Sequence, residues 1–445
     1  MGVYLNGTTA YTLYKSETES PYFVDKSQML EELFPLIRTG NRHICITRPR
    51  RFGKTVMANM IASFFSRGCD ASDIFDKLQI GKNEDYDKYR NQISVIHIVF
   101  NDVSEGCSSY EQYIGRIKNR LLKDLAKEYP DIQHFENAGV IDVLMDICTD
   151  NPQQRFIFVL DEWDFIFHQN FVTEEEKKTY LRFLRSLLKD RPYVLMTYMT
   201  GILPIAKYSS GSELNMFREY TMAEEKKFSQ YFGFTEDEVD VLFEKYLCNT
   251  PRPHLTREEL KNWYDGYYTK SGSRLYNPRS VVTALENDNL GNYWTSSGPY
   301  DEIYYYIRHN VAAVRDELAL MAAGIAVPVR IQEYAATSME LQTKEEIFSA
   351  MVVYGFLTYQ DGKVSIPNKE LLDKFAVMLR KEPSLGYVYR LARESDRMLQ
   401  ATIAGDTDTM AEILEMAHDT EVPLLRLYHP GVKDRCRPGG SHPAD

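Results

Sequence analysis

The sequence predicts an α/β domain built on a mainly parallel sheet, followed by a helical region and a small helix-and-hairpin module. Three observations predict it. Short, continuously apolar segments alternate with helical patterns through the first half of the chain, as expected of strands buried on both faces. The first of these segments runs directly into a loop ending Gly53-Lys54-Thr55. The third ends in two consecutive carboxylates, Asp161 and Glu162.

Residues 1–20 read as a loose leader. Asp25 or Ser27 can cap a helix that carries Met29, Leu30, Leu33, Phe34 and Ile37 on one face. His43-Ile44-Cys45-Ile46-Thr47 is the first strand, and Val56 to Ala62 continues a helix after the loop. Ser94 to Phe100 is β-branched, apolar and bounded by Asn101-Asp102, so it is the second strand. A long helix is expected from about Ser109 to Tyr129. Phe156 to Leu160 forms the third strand, Glu174 to Leu188 a helix, and Tyr193 to Met199 the fourth strand, ending in Thr200-Gly201.

After about residue 225 helical patterns rich in tyrosine and charge take over. This gives a core domain over 21–225 and a helical lid over 226–335. Lys344 to Tyr354 reads as a helix, and the segments 356–359 and 363–366 flank Asp361-Gly362 as a hairpin. Helix then hairpin is the outline of a winged-helix-like region, placed with a further helical stretch in 336–428. Residues 429–445, with Pro438-Gly439-Gly440, read as a disordered tail.

Composition narrows the function. At 445 residues, 44% hydrophobic, with 31 Tyr and 22 Phe, the chain can build real cores. A net charge of −12 disfavours whole-molecule attraction to nucleic acid or anionic membrane. Six scattered cysteines, with no Cys-x-x-Cys pair, suggest neither a disulfide framework nor a zinc site, and fit reduced thiols in a cytoplasm. No secretory signal is evident at the start, and the longest nearly apolar stretch, Leu318 to Val329, is too short to span a bilayer.

The chemistry lies in the loop and the acidic pair. Strand, tight loop, Gly-Lys-Thr, then helix is the context of a phosphate-binding loop, where backbone N–H groups and a helix N-terminus cradle anionic oxygens. Arg48, Pro49, Arg50, Arg51, Phe52, Gly53, Lys54 and Thr55 are the candidate nucleotide-binding residues. Lys54 supplies a point charge for the terminal phosphates, and the Thr55 hydroxyl can ligate magnesium. The usual pattern has a glycine where Arg48 stands, and Pro49 stiffens the loop beside it. Asp161 is the second expected magnesium residue, and Glu162 the expected general base that polarises the attacking water. Thr200, at the end of the next strand, is the expected γ-phosphate sensor. Some of the loop arginines can aid triphosphate binding, while others can pair with acidic groups such as Asp164. Arg274 and Arg279 are candidate cationic sensors if the helical region covers the nucleotide. His-Glu-x-x-His, Gly-x-Ser-x-Gly and Gly-x-Gly-x-x-Gly are absent from the sequence.

Together these residues resemble the bacterial AAA-ATPase-like family, often joined to a C-terminal PD-(D/E)XK-type nuclease domain. The resemblance is carried by residues 22–26 (Tyr-Phe-Val-Asp-Lys), by Arg48 to Thr55, by residues 160–164 (Leu-Asp-Glu-Trp-Asp) and by residues 200–205. Residues 263–267 (Trp-Tyr-Asp-Gly-Tyr) and 276–278 (Tyr-Asn-Pro) add to it, and coverage runs from about residue 15 to about 428. Arginine at position 48 is typical of the group. The resemblance implies an AAA-like P-loop fold, binding of ATP with magnesium, hydrolysis, and kinship with signal-transducing ATPases that act as switches. Lys54, Thr55, Asp161 and Glu162 carry over as the phosphate, magnesium and base residues. No Glu-x-Lys follows residue 330, so nuclease activity is not expected of this chain, which reads as a truncated or ATPase-only form.

The expected function is therefore a magnesium-dependent ATPase that works as a conformational switch in a nucleic-acid-processing or defence context. The alternatives are a nucleotide-gated binding module with little hydrolysis and an ATP-regulated winged-helix DNA-binding protein. A small-molecule kinase is weaker, because an acidic pair suits water activation better. Besides ATP, a homo-oligomer, a nucleic acid or another protein are the candidate partners, and a membrane is not one.

Overall fold

A computed structural model describes residues 2–39, 42–205, 213–223, 226–294, 314, 316–318, 320–331, 341, 343–381, 394 and 397–415. It divides into two units, Met1–Val314 with Ala326–Asp373, and Arg315–Ile325 with Lys374–Asp445.

In the first unit, helices α1 (Thr9–Thr18) and α2 (Met29–Thr39) precede strand β1 (His43–Thr47), and α3 (Lys54–Phe65) follows it. Short helices α4 (Ser72–Phe75) and α5 (Tyr86–Tyr89) lead to β2 (Ser94–Val99). Then come α6 (Tyr110–Glu128), α7 (Val140–Asp150), β3 (Phe156–Asp161), α8 (Glu174–Leu188), β4 (Val194–Gly201) and the short β5 (Arg218–Tyr220).

The five strands form one sheet in the order β2-β3-β4-β1-β5, parallel throughout. Every residue of β1 and β3 is buried, which is why these segments read as unbroken apolar runs. Strand β4 lies between β1 and β3, pairing Ile46 with Thr200 on one side and Asp161 with Thr200 on the other. The loop after β1 and the acidic end of β3 therefore meet at the same carboxyl-terminal edge, where open α/β sheets bind ligands.

Side chains fix the helix starts. Ser109 accepts from Gln112 N–H to open α6, and Thr173 with Glu176 forms a reciprocal capping box on α8. Each such cap satisfies backbone donors that would otherwise stay unpaired.

The first twenty residues differ from the leader expected. Tyr14 on α1 is buried and stacks on Phe75 at 5.6 Å. Residues 4–6 lie along the outer edge of β2, with Asn6 N–H donating to Val95 O and His97 N–H to Tyr4 O. The buried Asp124 carboxylate accepts from Tyr4 N–H at 2.7 Å and Leu5 N–H at 3.2 Å. Tyr4, Leu5 and Tyr14 are apolar anchors spaced too irregularly to show as one period.

Beyond the sheet, α9 (Glu236–Asn249), α10 (Arg257–Tyr264) and α11 (Pro278–Asn287) pack about a second apolar cluster that includes Leu242, Tyr246, Leu260 and Tyr276. Strands β6 (Tyr267–Tyr268) and β7 (Arg274–Leu275) pair between α10 and α11. After β8 (Val327–Pro328) comes α12 (Lys344–Val353), then the hairpin of β9 (Thr358–Gln360) and β10 (Lys363–Ser365), then α13 (Lys369–Lys381). Asp361 and Gly362 both take positive φ, as a two-residue hairpin turn requires. Strand β8 adds to the hairpin, giving a three-stranded antiparallel sheet in the order β8-β10-β9.

In the second unit residues 397–404 and 407–415 are helical, with Ala401 and Ile413 buried. The rest of the helical stretch expected within 336–428, and the expected tail over 429–445, lie outside the described residues. Among the described residues no helix is long and apolar enough to cross a membrane.

Candidate functional site

The loop between β1 and α3 is a strained turn with a glycine where a side chain would be costly. Gly53 has φ +83° and hands the chain to α3, whose first residue is Lys54. Arg51 also holds a positive φ of 70°. The 12-residue helix α3 thus aims its N-terminus, with its unpaired N–H groups, at the sheet edge. Lys54 is buried, and its Nζ donates to the carbonyls of Arg48 and Pro49, both at 2.9 Å. Burial lowers its pKa to about 8, against the opposing pull of Asp164, Glu162 and Asp161.

Asp161 ends β3 fully buried. One carboxylate oxygen, Oδ1, accepts the N–H of Glu162 at 3.1 Å. The other, Oδ2, has no hydrogen-bond partner among the described residues. Burial pushes its pKa up to about 6; the Thr55 hydroxyl and Lys54 pull it down, and Glu162 adds to the rise. Glu162 holds φ +53°, a region a non-glycine residue occupies only when its surroundings impose it.

A cavity of about 780 Å³ opens in front of these groups. Arg50, Arg51, Phe52, Gly53, Lys54 and Thr55 border it from the loop, and Glu162 and Asp164 from the end of β3. Its apolar part is bordered by Phe23 and Val24 before α2, by Tyr231 and Phe234, and by Val282 on α11. The volume falls within the range typical of small-molecule sites, about 300–1,000 Å³.

The predicted residues do not all face this cavity. Arg48 does not border it. Its guanidinium is buried, with Nη1 donating to Thr47 O and Tyr220 O, both at 2.7 Å, and it lies 5.0 Å from the Phe232 ring. The side chain in the place of the usual glycine therefore ties the end of β1 to the edge strand β5, and a role in contacting the nucleotide through this guanidinium is corrected. Pro49 also turns away, packing on Gly355: a Cβ there would come within 2.5 Å of Pro49 Cβ. Thr200 is buried behind the acidic pair, its hydroxyl without a partner among the described residues.

Among the described residues Asp164 makes no hydrogen bond or ion pair with the loop arginines. Its Oδ2 accepts from Ile202 N–H at 2.9 Å and Leu203 N–H at 2.8 Å, pinning the turn after β4. Arg274 pairs with the buried Asp265 at 2.8 Å. Arg279 borders the cavity, and its charge adds to the burial that lowers the Arg51 pKa. Sequence reasoning missed the aromatic wall at Phe23, Tyr231 and Phe234, because isolated aromatics carry no spacing signal. It also missed Lys26, which borders the cavity while held by Glu238 and the carbonyl of Gln230.

A parallel sheet with a strand interposed between the Gly-Lys-Thr strand and the acidic strand is the P-loop NTPase fold. Residues 8–210 match the sequence model of the AAA-ATPase-like family, described as a predicted AAA-ATPase. A curated protein of Azotobacter chroococcum mcd 1, named as an uncharacterized protein in the vnfD 5' region, is 27% identical over 288 residues. That match takes in 63% of this chain and 52% of the relative, so the chain spans about half the relative's length. Among solved structures, the Walker-type ATPase of Pyrococcus abyssi is 12% identical, covering 79% of this chain and 94% of that one, with a TM-score of 0.44. The ORC2 protein of Aeropyrum pernix is 11% identical, covering 82% and 93%, with a TM-score of 0.38.

Proposed function

We propose that this protein binds ATP with magnesium and hydrolyses it as a conformational switch. The observation that carries the reading is that Lys54, Thr55 and Glu162 border one cavity, with Asp161 buried beside Glu162 at the end of β3 and near the Thr55 hydroxyl. Lys54, held by two loop carbonyls, can exchange them for phosphate oxygens without leaving the loop.

The donor set fits magnesium brought in on a nucleotide. Asp161 Oδ2 is buried and unpartnered, and the exposed Thr55 hydroxyl stands near the same carboxyl group. No group of three or more His, Cys, Asp or Glu side chains among the described residues could hold an ion unaided, so phosphate oxygens would complete the set. Bound magnesium would neutralise charge on the terminal phosphates. Thr55 and Asp161 are the residues that would hold it. Glu162, beside them on the cavity wall, would orient water and take its proton. Thr200 would sense the γ-phosphate through its buried hydroxyl. Any arginine finger would come from the helical region after the sheet or from a neighbouring protomer; a nucleic acid or another protein remains a candidate partner for the switch.

The test is ATP titration and phosphate release on the wild type and a Lys54→Ala variant. Loss of binding in the variant supports the reading, and wild-type affinity overturns it. A second reading, a nucleotide-gated binding module or winged-helix DNA-binding protein, is favoured by the helix and hairpin at 344–365. ATP-dependent DNA retention without phosphate release would select it.

A further inference from the structure

The phosphate loop is gripped from outside as well as from within. Three of its residues each meet the segment that follows the sheet domain. Pro49 packs against Gly355, which must be glycine there because of that approach and its φ of +81°. The carbonyl of Arg50 accepts from the indole N–H of Trp294 at 2.9 Å. The ring of Phe52 meets the Tyr267 ring edge-on at 4.9 Å.

The Trp294 contact leads on to one buried carboxylate. Glu370, at the start of α13, accepts from Trp294 N–H through Oε1 at 2.6 Å and from the Ser280 hydroxyl through Oε2 at 2.8 Å. Ser280 follows Arg279, which borders the cavity. The Trp294 ring also lies 4.9 Å from Phe356, and Tyr268 N–H donates to Thr358 on the hairpin at 2.8 Å. Glu370 thus joins Trp294 to α11, while the Phe52–Tyr267 contact and the Tyr268–Thr358 bond join the loop to the hairpin.

We propose that Trp294 and Glu370 are positioning residues that hold the phosphate loop in its anion-binding shape and couple it to the hairpin at 358–365. The proposal rests on the nucleotide reading given above. When Lys54 turns to a phosphate it leaves the carbonyls of Arg48 and Pro49, and the loop then depends on its outer contacts to keep its form. Linkage makes the coupling reciprocal: a hairpin that steadies the loop for nucleotide is itself steadied by nucleotide, by the same factor.

The test compares wild type, Trp294→Phe and Glu370→Gln by hydrogen exchange and ATP titration. Trp294→Phe keeps an aromatic ring against Phe356 and removes only the N–H donated to Arg50, so it reports even if Glu370→Gln fails to fold. Without nucleotide, amides of residues 48–55 should exchange about three- to tenfold faster in the variants. The ATP Kd should rise by a similar factor, about three- to tenfold, while turnover at saturating ATP stays within about twofold. In wild type, magnesium-ATP should slow exchange in residues 358–365, and the variants should lose most of that effect. Unchanged loop exchange in Trp294→Phe overturns the proposal, as does a hairpin indifferent to nucleotide in a wild type that binds it. If the wild type binds no ATP, the nucleotide reading fails, and the ligand-free loop exchange still decides whether the grip exists.

Discussion

Lys54, which borders the cavity, and Asp161, buried at the end of β3, have pKa values displaced toward each other, the lysine down to about 8 and the aspartate up to about 6. Opposite charges alone would drive them apart. Burial dominates both, because each group has given up water without gaining a full set of partners. The site is built with charge in deficit, and a ligand that brings anionic oxygens and a cation would make that good.

A pH profile follows from this pair. Asp161 must be ionised and Lys54 protonated for the free protein to engage magnesium-ATP. The kcat/KM for ATP should fall below about pH 6 as Asp161 takes a proton, and above about pH 8 as Lys54 loses one. Steady-state phosphate release from pH 5 to 9 would read it. A Lys54→Arg variant that keeps activity should lose the alkaline limb, and a flat profile would contradict the assignment.

The same displacement affects stability. The folded-state pKa of Asp161 is raised, so the folded protein holds this proton where the unfolded chain has released it. Stability from this group is present at low pH and lost as pH rises from about 4 to about 6. Asp161→Asn should therefore stabilise the ligand-free protein at pH 7 by about 1–3 kcal/mol while weakening its response to magnesium. Urea melts with and without magnesium-ATP would show both effects.

Glu162→Gln should separate binding from chemistry. The amide preserves size on the cavity wall but cannot take a proton. ATP affinity should stay within a few fold, and turnover should fall by about 10²- to 10⁴-fold. Single-turnover measurements would detect the trapped complex. Unimpaired turnover would move the base elsewhere.

Gly201→Ala tests the packing behind the site. A Cβ there would lie 2.5 Å from Asp164 Oδ1 and 2.6 Å from Trp163 Cδ1, inside two buried side chains. Overpacking of this kind costs about 1–3 kcal/mol and would displace the carboxylate that pins Ile202 and Leu203. Denaturation midpoints would show the loss, and a neutral outcome would mean that the Trp163 environment gives easily.

The strands and the reactive edge were legible because each rests on a local rule. β1 and β3 are buried along their whole length and so are largely apolar, the Asp161-Glu162 pair stands at the end of β3, and Gly53 stands directly before α3. What escaped was set by partners distant in sequence. The orientation of Arg48 depends on the carbonyl of Tyr220, and Asp164 is claimed by backbone N–H groups 38 and 39 residues away. The anchoring of residues 4–6 depends on Asp124, more than a hundred positions on. A side chain's type shows in the sequence, but its direction is decided by the whole fold.

Arg48 carries one consequence further. In most loops of this form the first position needs freedom of backbone, and a glycine supplies it by having nothing to place. Here a long side chain is threaded inward and closes off two carbonyls at the join between a central and an edge strand. Replacing it with glycine would bring the sequence nearer the familiar pattern and the molecule further from a working one: Arg48→Gly removes a fastening and leaves a void in its place. In this chain the letter that looks like a defect in the motif is the rivet that lets the short fifth strand belong to the sheet.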